Sequence, residues 1–437
     1  MSIRQNFPTV SPTLTLNFIN SGQLDPRITF IRTGSRTRMN ENGLVESVGA
    51  DIPRFEHRYE DGVVKPQGLL LEEAKQQYVP NSNDFTLWVK QTTGSGVVGV
   101  AVTDATTSPD GANNSSKFYV DTAGGSFYNI HRNIGINSNT DYTYSVFAKQ
   151  AESSVMSLTV YTGSNGGNQS VNYNLSNGTV TGIITSGTNT GISTAGIISY
   201  PNDWYRCHMT FNVNESITAQ YKLGNGTTTL NEGIYIYGAQ LEQRYMTSYI
   251  PNSTSDTLIT SSDKCYIDNL DTQGLINQSE FTIHIEGKYN PTVKQVSPYY
   301  NRMMETRTGL GTQRTSGLWL DPTVQTDIIR YRADDDNENP IFLKTYDTTD
   351  TNAVDTGKDG LIRVAFGLKS GDFDISVNGG DLESSSNTGF AQDTGQLIIG
   401  GSDTFGNSIM NGTIRKLSIY PNKLTDTQLI NLSKVSI

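Results

Sequence analysis

The sequence predicts an all-β protein, built as two antiparallel β-sandwiches behind an irregular N-terminal segment. Three observations predict this. The 437 residues include 42 glycines and 22 tyrosines among many Thr, Ser and Asn, a composition that favours strands and turns over long helices. Only 17% of residues are charged, which is low for a helical protein of this size. Apolar residues also recur with period two in short runs, as in Gly233–Glu242, where Ile234 and Ile236 alternate with Tyr235 and Tyr237. That is the pattern of a strand buried on one face. A chain this long is expected to form two or three domains, each with a real core.

Residues 1–78 do not read as an autonomous domain. Pro8, Pro12, Pro26, Pro53 and Pro66 punctuate them, leaving short strand candidates at Leu14–Phe18, Ile28–Arg32 and Gly68–Leu71. Two expectations stand level: the segment packs on a neighbouring protein or the first sandwich, or its strands complete the first sandwich. Residues 79–255 carry about eight strand candidates, among them the cleanly alternating Tyr142–Lys149. Asn225-Gly226 is expected to turn, since both residues tolerate positive φ. Pro251 cannot donate to a ladder, so the boundary falls near residues 250–257. In residues 256–437, Ile362, Val364 and Phe366 share one face of a strand, and Phe373, Ile375 and Val377 one face of another. Asn378-Gly-Gly380 supplies a turn. Thr425 caps a short final helix, with Gln428 reaching back to it.

Charge and motif content exclude several function classes. A formal net charge of −11 argues against nucleic acid as a partner, which requires a concentrated basic surface. No apolar run approaches the length of a membrane span, so no membrane insertion is expected, and Met1–Pro8 lacks the apolar core of a secretory signal. The two cysteines, Cys207 and Cys265, are too few for a disulfide framework, and Cys207 reads as a small core residue. His57, His131, His208 and His284 are scattered. No nucleophile triad, phosphate loop or dinucleotide pattern stands out, so the chain is not expected to be an enzyme, and no cofactor is expected.

The end of the closing strand, Gly238-Ala-Gln-Leu-Glu242 followed by Ser248-Tyr-Ile-Pro251, resembles the end of the carbohydrate-binding-module-like jelly rolls of bacteriophage structural proteins. Leu24-Asp-Pro-Arg-Ile-Thr-Phe30 and Pro66-Gln-Gly-Leu-Leu-Leu-Glu-Glu73 resemble the leader that precedes such modules. The run Gly412–Tyr420 and then Leu424–Ser433 is similar to the end of concanavalin-A-like or laminin-G-like domains. The resemblance implies a virion surface protein made in the host cytoplasm, commonly trimeric, and attached to other virion proteins. Such jelly rolls often hold a structural calcium through an Asp on the closing strand, and this strand has none.

Candidate sites follow from residue chemistry. The arginine cluster Arg27, Arg32, Arg36 and Arg38 is read as a solvated N-terminal face or a docking contact, and so as the attachment site. A sugar site needs an aromatic face beside planar polar groups. Trp319 is the candidate stacking platform, Arg302 and Asp321 are its hydroxyl partners, and Tyr299 and Tyr300 are further aromatics. Trp88 and Trp204 are assigned to the core. Asp334-Asp-Asp-Asn-Glu338 is an oxygen-rich run that suits calcium or an acidic surface loop. Asp372 and Asp374 share a strand face but lack the spacing of a glycosidase pair, and are expected to solvate a hairpin. The favoured reading is a tail-fibre-like adhesin that recognises host-surface glycan. The alternatives are a capsid decoration or baseplate component that binds only virion subunits, and a polysaccharide depolymerase.

Overall fold

The computed structural model describes residues 8–101, 105–163, 167–187, 190–290, 301–308, 313–320, 328–335, 337, 339–347, 361–389, 394–401 and 408–434. Their regular structure is almost entirely antiparallel β, so the fold class is all-β. The single α-helix among the described residues is Asp426–Ser433, where the Gln428 side chain accepts from the Thr425 N–H at 3.1 Å. Its Leu429 packs with Ala365, Tyr420 and Leu424 outside the main core.

The first sandwich consists of two six-stranded sheets. One runs Thr190–Tyr200, Trp204–Val213, Thr140–Gln150, Gly233–Gln243, Ser116–Thr122, Val97–Ala101. The other runs Thr179–Thr185, Asn168–Asn174, Val155–Tyr161, Ile217–Gly224, Tyr128–Ile136, Val89–Thr92. Alternate residues of both meet in one core that includes Val146, Leu158, Val171, Cys207, Tyr221, Ile234 and Ile236. Asn225 and Gly226 sit in the loop after Ile217–Gly224, and of the two only Gly226 adopts positive φ, at 62°.

The closing strand Gly233–Gln243 lies between Thr140–Gln150 and Ser116–Thr122. Gly238 is inserted as a bulge at φ 54°, where the register slips opposite Val146 and Phe147. The slip lets Ile236 and Ala239 both face the core although three positions separate them. A Cβ at Gly238 would lie 2.9 Å from the Tyr249 ring, so glycine is required for both space and φ. The polar residues that follow hold the chain's exit. Gln240 Oε1 accepts from Ile250 N at 2.7 Å, and Glu242 accepts from Thr247 N at 2.9 Å and its hydroxyl at 2.6 Å. The motif thus ties the last strand to the loop that leaves it.

The second sandwich takes strands from both ends of the chain. One sheet runs Glu383–Ser385, Phe373–Val377, Leu361–Lys369, Glu280–Tyr289, Gly412–Tyr420, Val63–Leu71, Arg54–Glu60, and Leu14–Asn17 also pairs with Gly412–Tyr420. The other runs Thr29–Ile31, Lys264–Ile267, Thr394–Ile399, Asn301–Thr308, Arg314–Leu320, Ile328–Asp334, Pro340–Asp347. Several N-terminal strands therefore complete the second sandwich, which neither of the two level expectations for residues 1–78 had named. The reason is burial: Leu14, Leu16, Leu69 and Leu71 bring apolar side chains that strands of four to nine residues cannot bury alone. In the turn Val377–Gly380, Asn378 and Gly379 both have positive φ, at 49° and 79°, as the sequence predicts.

Between the sandwiches lies a buried ionic cluster. Arg54 donates to Glu72 at 2.8 Å and to Asp263 at 2.6 Å, and Arg36 reaches Glu72 at 3.3 Å and Thr260 at 2.8 Å. Arg32 meets the other Asp263 oxygen at 3.1 Å. All three arginine side chains are fully buried. Ser248, at the exit of the first sandwich, donates its N–H and hydroxyl to Glu72 at 2.7 and 2.6 Å. Burial pushes the Glu72 carboxyl up, but the Arg54 and Arg36 charges and the Ser248 hydrogen bonds outweigh it and hold the group at about 2. This corrects the attachment reading of Arg32 and Arg36, which present no surface to another protein. A guanidinium in a dry junction is tolerable only beside carboxylates. The other two are locally paired, Arg27 with Asp25 at 2.7 Å and Arg38 with Glu46 at 2.9 Å.

A cleft of about 180 Å³ opens beside this cluster, lined by Glu56, Tyr200, Arg206 and Lys288 among others. Glu56 Oε1 accepts from Met39 N at 3.1 Å, and burial pushes its carboxyl up to about 8.

Two measurements check the junction. Arg54→Ala strands Glu72 and Asp263 and is expected to cost about 3–5 kcal/mol in denaturant unfolding; a change within experimental error would show the cluster to be solvated. The raised Glu56 group holds its proton in the folded state between its ordinary value and about 8, so its contribution to stability declines as pH rises across that window. Thermal melts of Glu56→Gln should fall less between pH 5 and pH 8 than those of the native chain.

Candidate functional site

The strand register arranges a polar surface on the outer face of the sheet Thr179–Thr185 to Val89–Thr92. Met156, Leu158 and Val160 point into the core, so Ser157, Thr159 and Tyr161 point out. The same alternation turns Ser170 and Asn172, Gln220 and Lys222, and Asn129 and His131 outward. Pairing aligns them in rows. Gln91 lies opposite Asn129, Asn129 opposite Gly224, Gly224 opposite Ser157, and Ser157 opposite Asn172. The next row holds His131, Lys222, Thr159 and Ser170.

Gly224 interrupts the first row with no side chain, and Ser126–Asn129 and Asn225–Thr228 rise around it. The result is a groove of about 400 Å³ lined by Asn129, Ser157, Thr159, Asn168 and Lys222. Thr159 and Ser170 share a hydroxyl hydrogen bond of 2.8 Å, and the Lys222 ammonium lies 4.4 Å from the Tyr161 ring centroid. Four polar atoms on this face, Gln91 Oε1, Asn129 Oδ1, His131 Nδ1 and Gln220 Oε1, are shut from solvent and have no hydrogen-bond partner. Burial, with Lys222 nearby, lowers the His131 pKa. The groove lining thus combines amides and hydroxyls, which hydrogen-bond a polyhydroxylated ligand, with the ring of Phe127, which offers it an apolar face. No carboxylate stands in these rows, so the acid and nucleophile pair of glycoside hydrolysis is missing from this face.

The predicted sugar site lies on the second sandwich. Register places Trp319 opposite Arg302 on one side and Arg330 on the other, so the backbones of Trp319 and Arg302 are adjacent. Arg302 is also ion-paired with the buried Glu305. Tyr299, Tyr300 and Asp321 lie outside the described residues. In the oxygen-rich run, Asp334 is buried between Arg314 and Arg332, and Asp335 accepts from Asn337 and Asn339 within its turn. Both are thereby committed within the protein, and Asp336 and Glu338 lie outside the described residues. Among the described residues no group of three metal-ligating side chains occurs.

Asp374 is buried, not solvating a hairpin, because Lys423 spans Asp372 at 3.0 Å and Asp374 at 2.5 Å. Trp88 and Trp204 are core residues, as expected. His208 and His284 are buried within strands, and burial pushes each down to about 4. The amide face escaped sequence reading because outward polar residues at alternate positions look the same as any solvated face. Its one available signal was the recurrence of Asn and Gln where Lys and Glu are usual.

No family model matches the chain, and no curated protein matches it. Solved structures do align with it. Domain 4 of AbnA, a GH43 extracellular arabinanase from Geobacillus stearothermophilus in complex with arabinotriose, is 14% identical at TM-score 0.28, over 40% of this chain and 73% of that one. Trypanosoma rangeli sialidase in complex with the inhibitor DANA is 10% identical at TM-score 0.28, over 96% and 81%. Mouse laminin alpha1 chain, domains LG4-5, is 9% identical at TM-score 0.24, over 67% and 88%. Superpositions this loose carry no functional argument, and the all-β class rests on the strand pairing itself.

An amide kept unpaired on a sheet face costs stability. Asn129→Ala and Gln220→Ala are therefore expected to leave the midpoint of urea unfolding unchanged or raised, whereas Leu158→Ala in the core should cost about 2–5 kcal/mol. Destabilisation by either amide variant comparable to Leu158→Ala would make the amides structural.

Proposed function

We propose that the protein is a non-enzymatic carbohydrate-binding component of a bacteriophage surface, and that it holds host-surface glycan on the outer face of the first sandwich. One observation carries the binding reading: a trough on this face is lined by Asn129, Asn168, Ser157, Thr159, Lys222 and the ring of Phe127, with no carboxylate in its lining. The virion context rests on the resemblance of the leader and closing-strand motifs to phage modules. A solvent-open site of this kind binds weakly, and several copies on one particle raise avidity without new contacts. The pairing of Trp319 with Arg302 supports a second location on the other sandwich.

Binding of purified protein to host envelope polysaccharide, followed by calorimetry, tests both locations. Asn129→Ala combined with Phe127→Ala is expected to weaken binding at least about tenfold, equivalent to about 1.4 kcal/mol, with Trp319→Ala close to native. The reverse ranking moves the site to the second sandwich. Failure of the native protein to bind, together with its location on a capsid lattice, favours the decoration reading. Release of reducing ends would make it a depolymerase.

A further inference from the structure

We infer that two copies of this chain associate through the open side of the first sandwich, edge to edge along Thr179–Thr185. That strand ends one sheet, and Thr190–Tyr200, which follows it in the chain, ends the facing sheet. The core is unsealed between them. Ile183 pairs with Val171 and so points to the inner side of its sheet, where Val171 is fully buried, yet Ile183 is 56% exposed. Ile192, Ala195 and Ile197 on the facing edge are only partly covered by the core. Ile184, on the outer side, is 52% exposed.

Sheet edges are normally protected by charge, proline, cover or brevity, and most other edges among the described residues are, the uncharged Thr29–Ile31 being only three residues long. Arg54–Glu60 carries four charged residues, Val89–Thr92 carries Lys90, Pro340–Asp347 opens with proline, and Glu383–Ser385 begins with Glu383. Val97–Ala101 is uncharged, but its Val98 and Gly99 are buried. The open side is different, because residues 153–202 contain no Asp, Glu, Lys, Arg or His. In a chain of net charge −11, this is the surface where two identical molecules meet with least repulsion. A partner of opposite charge would find nothing here to attract it, whereas an identical edge offers matching backbone donors and acceptors.

The pairing geometry selects the arrangement. A bulge at Thr181 breaks the strand, leaving Gly182–Thr185 as the straight run. A two-fold axis beside that run pairs it with itself antiparallel, joins two six-stranded sheets into one, and covers Ile183 and Ile184 of each copy.

Sedimentation equilibrium of the full chain at micromolar concentration tests this, with thermal melts confirming that each variant is folded. The native chain is expected at twice its 47.8 kDa mass. The pair Ile183→Glu and Ile184→Glu should give the monomer mass, while Ile259→Glu, an equally bare isoleucine elsewhere at 68% exposure, should not. A monomeric native chain, or an oligomer that survives the Ile183 and Ile184 substitutions, overturns the inference.

Discussion

The structure depends on one ionic junction. Arg32, Arg36 and Arg54 come from the leader, Glu72 from the residue just after Val63–Leu71, Ser248 from the exit of the first sandwich, and Asp263 from the entry to the second. Each charge is removed from water, and each is held by partners from other segments. Arg54 bonds both carboxylates, so removing it leaves buried charge undercompensated and loosens every segment that meets there. Apolar contacts of the same area would hold the sandwiches as strongly but tolerate sliding. Charge-assisted hydrogen bonds between 2.6 and 3.3 Å define one relative placement. The leader motif ending in Glu72-Glu73 and the exit motif around Ser248 are the two halves of this junction.

Legibility in the sequence follows the range of the interactions. The strand Thr140–Gln150, the strand Leu361–Lys369, the turn at Asn378 and the cap at Thr425 are local patterns, and all were readable. Strands that alternate weakly, such as Tyr128–Ile136 with Arg132 and Asn133 in its middle, were not. Nor was the partner choice of Leu14–Asn17, which is fixed by Ile419 and Leu417 some four hundred positions away. The buried arginines misled for the same reason: Asp263 is distant in sequence, and a lone basic cluster reads as solvated. The amide face is legible only after register is known, because it takes four strands to make one row.

Stability and recognition are kept on separate faces of one sheet. The inner side chains Met156, Leu158, Val160, Ala219, Tyr221 and Leu223 are fully buried, while the outer ones, Ser157, Thr159, Gln220 and Lys222, are polar. A strand's period of two makes this division possible, since a change on one face leaves the other in place. The outer residues can therefore vary in chemistry without disturbing the core, within the limit that Gly224 must keep the trough open.

The pairing of Leu14–Asn17 with Gly412–Tyr420 governs how the molecule can be made. On the ribosome the first of these strands emerges some four hundred residues before its partner. The intervening sandwich, whose strands all pair within residues 89–243, is free to fold while synthesis continues. The leader meanwhile trails a nascent, unmatched set of apolar strands past a finished domain, for the time needed to add several hundred residues. The second sandwich therefore cannot close until Gly412–Tyr420 has emerged, and a chaperone that shields Leu14, Leu16, Leu69 and Leu71 would act in that interval.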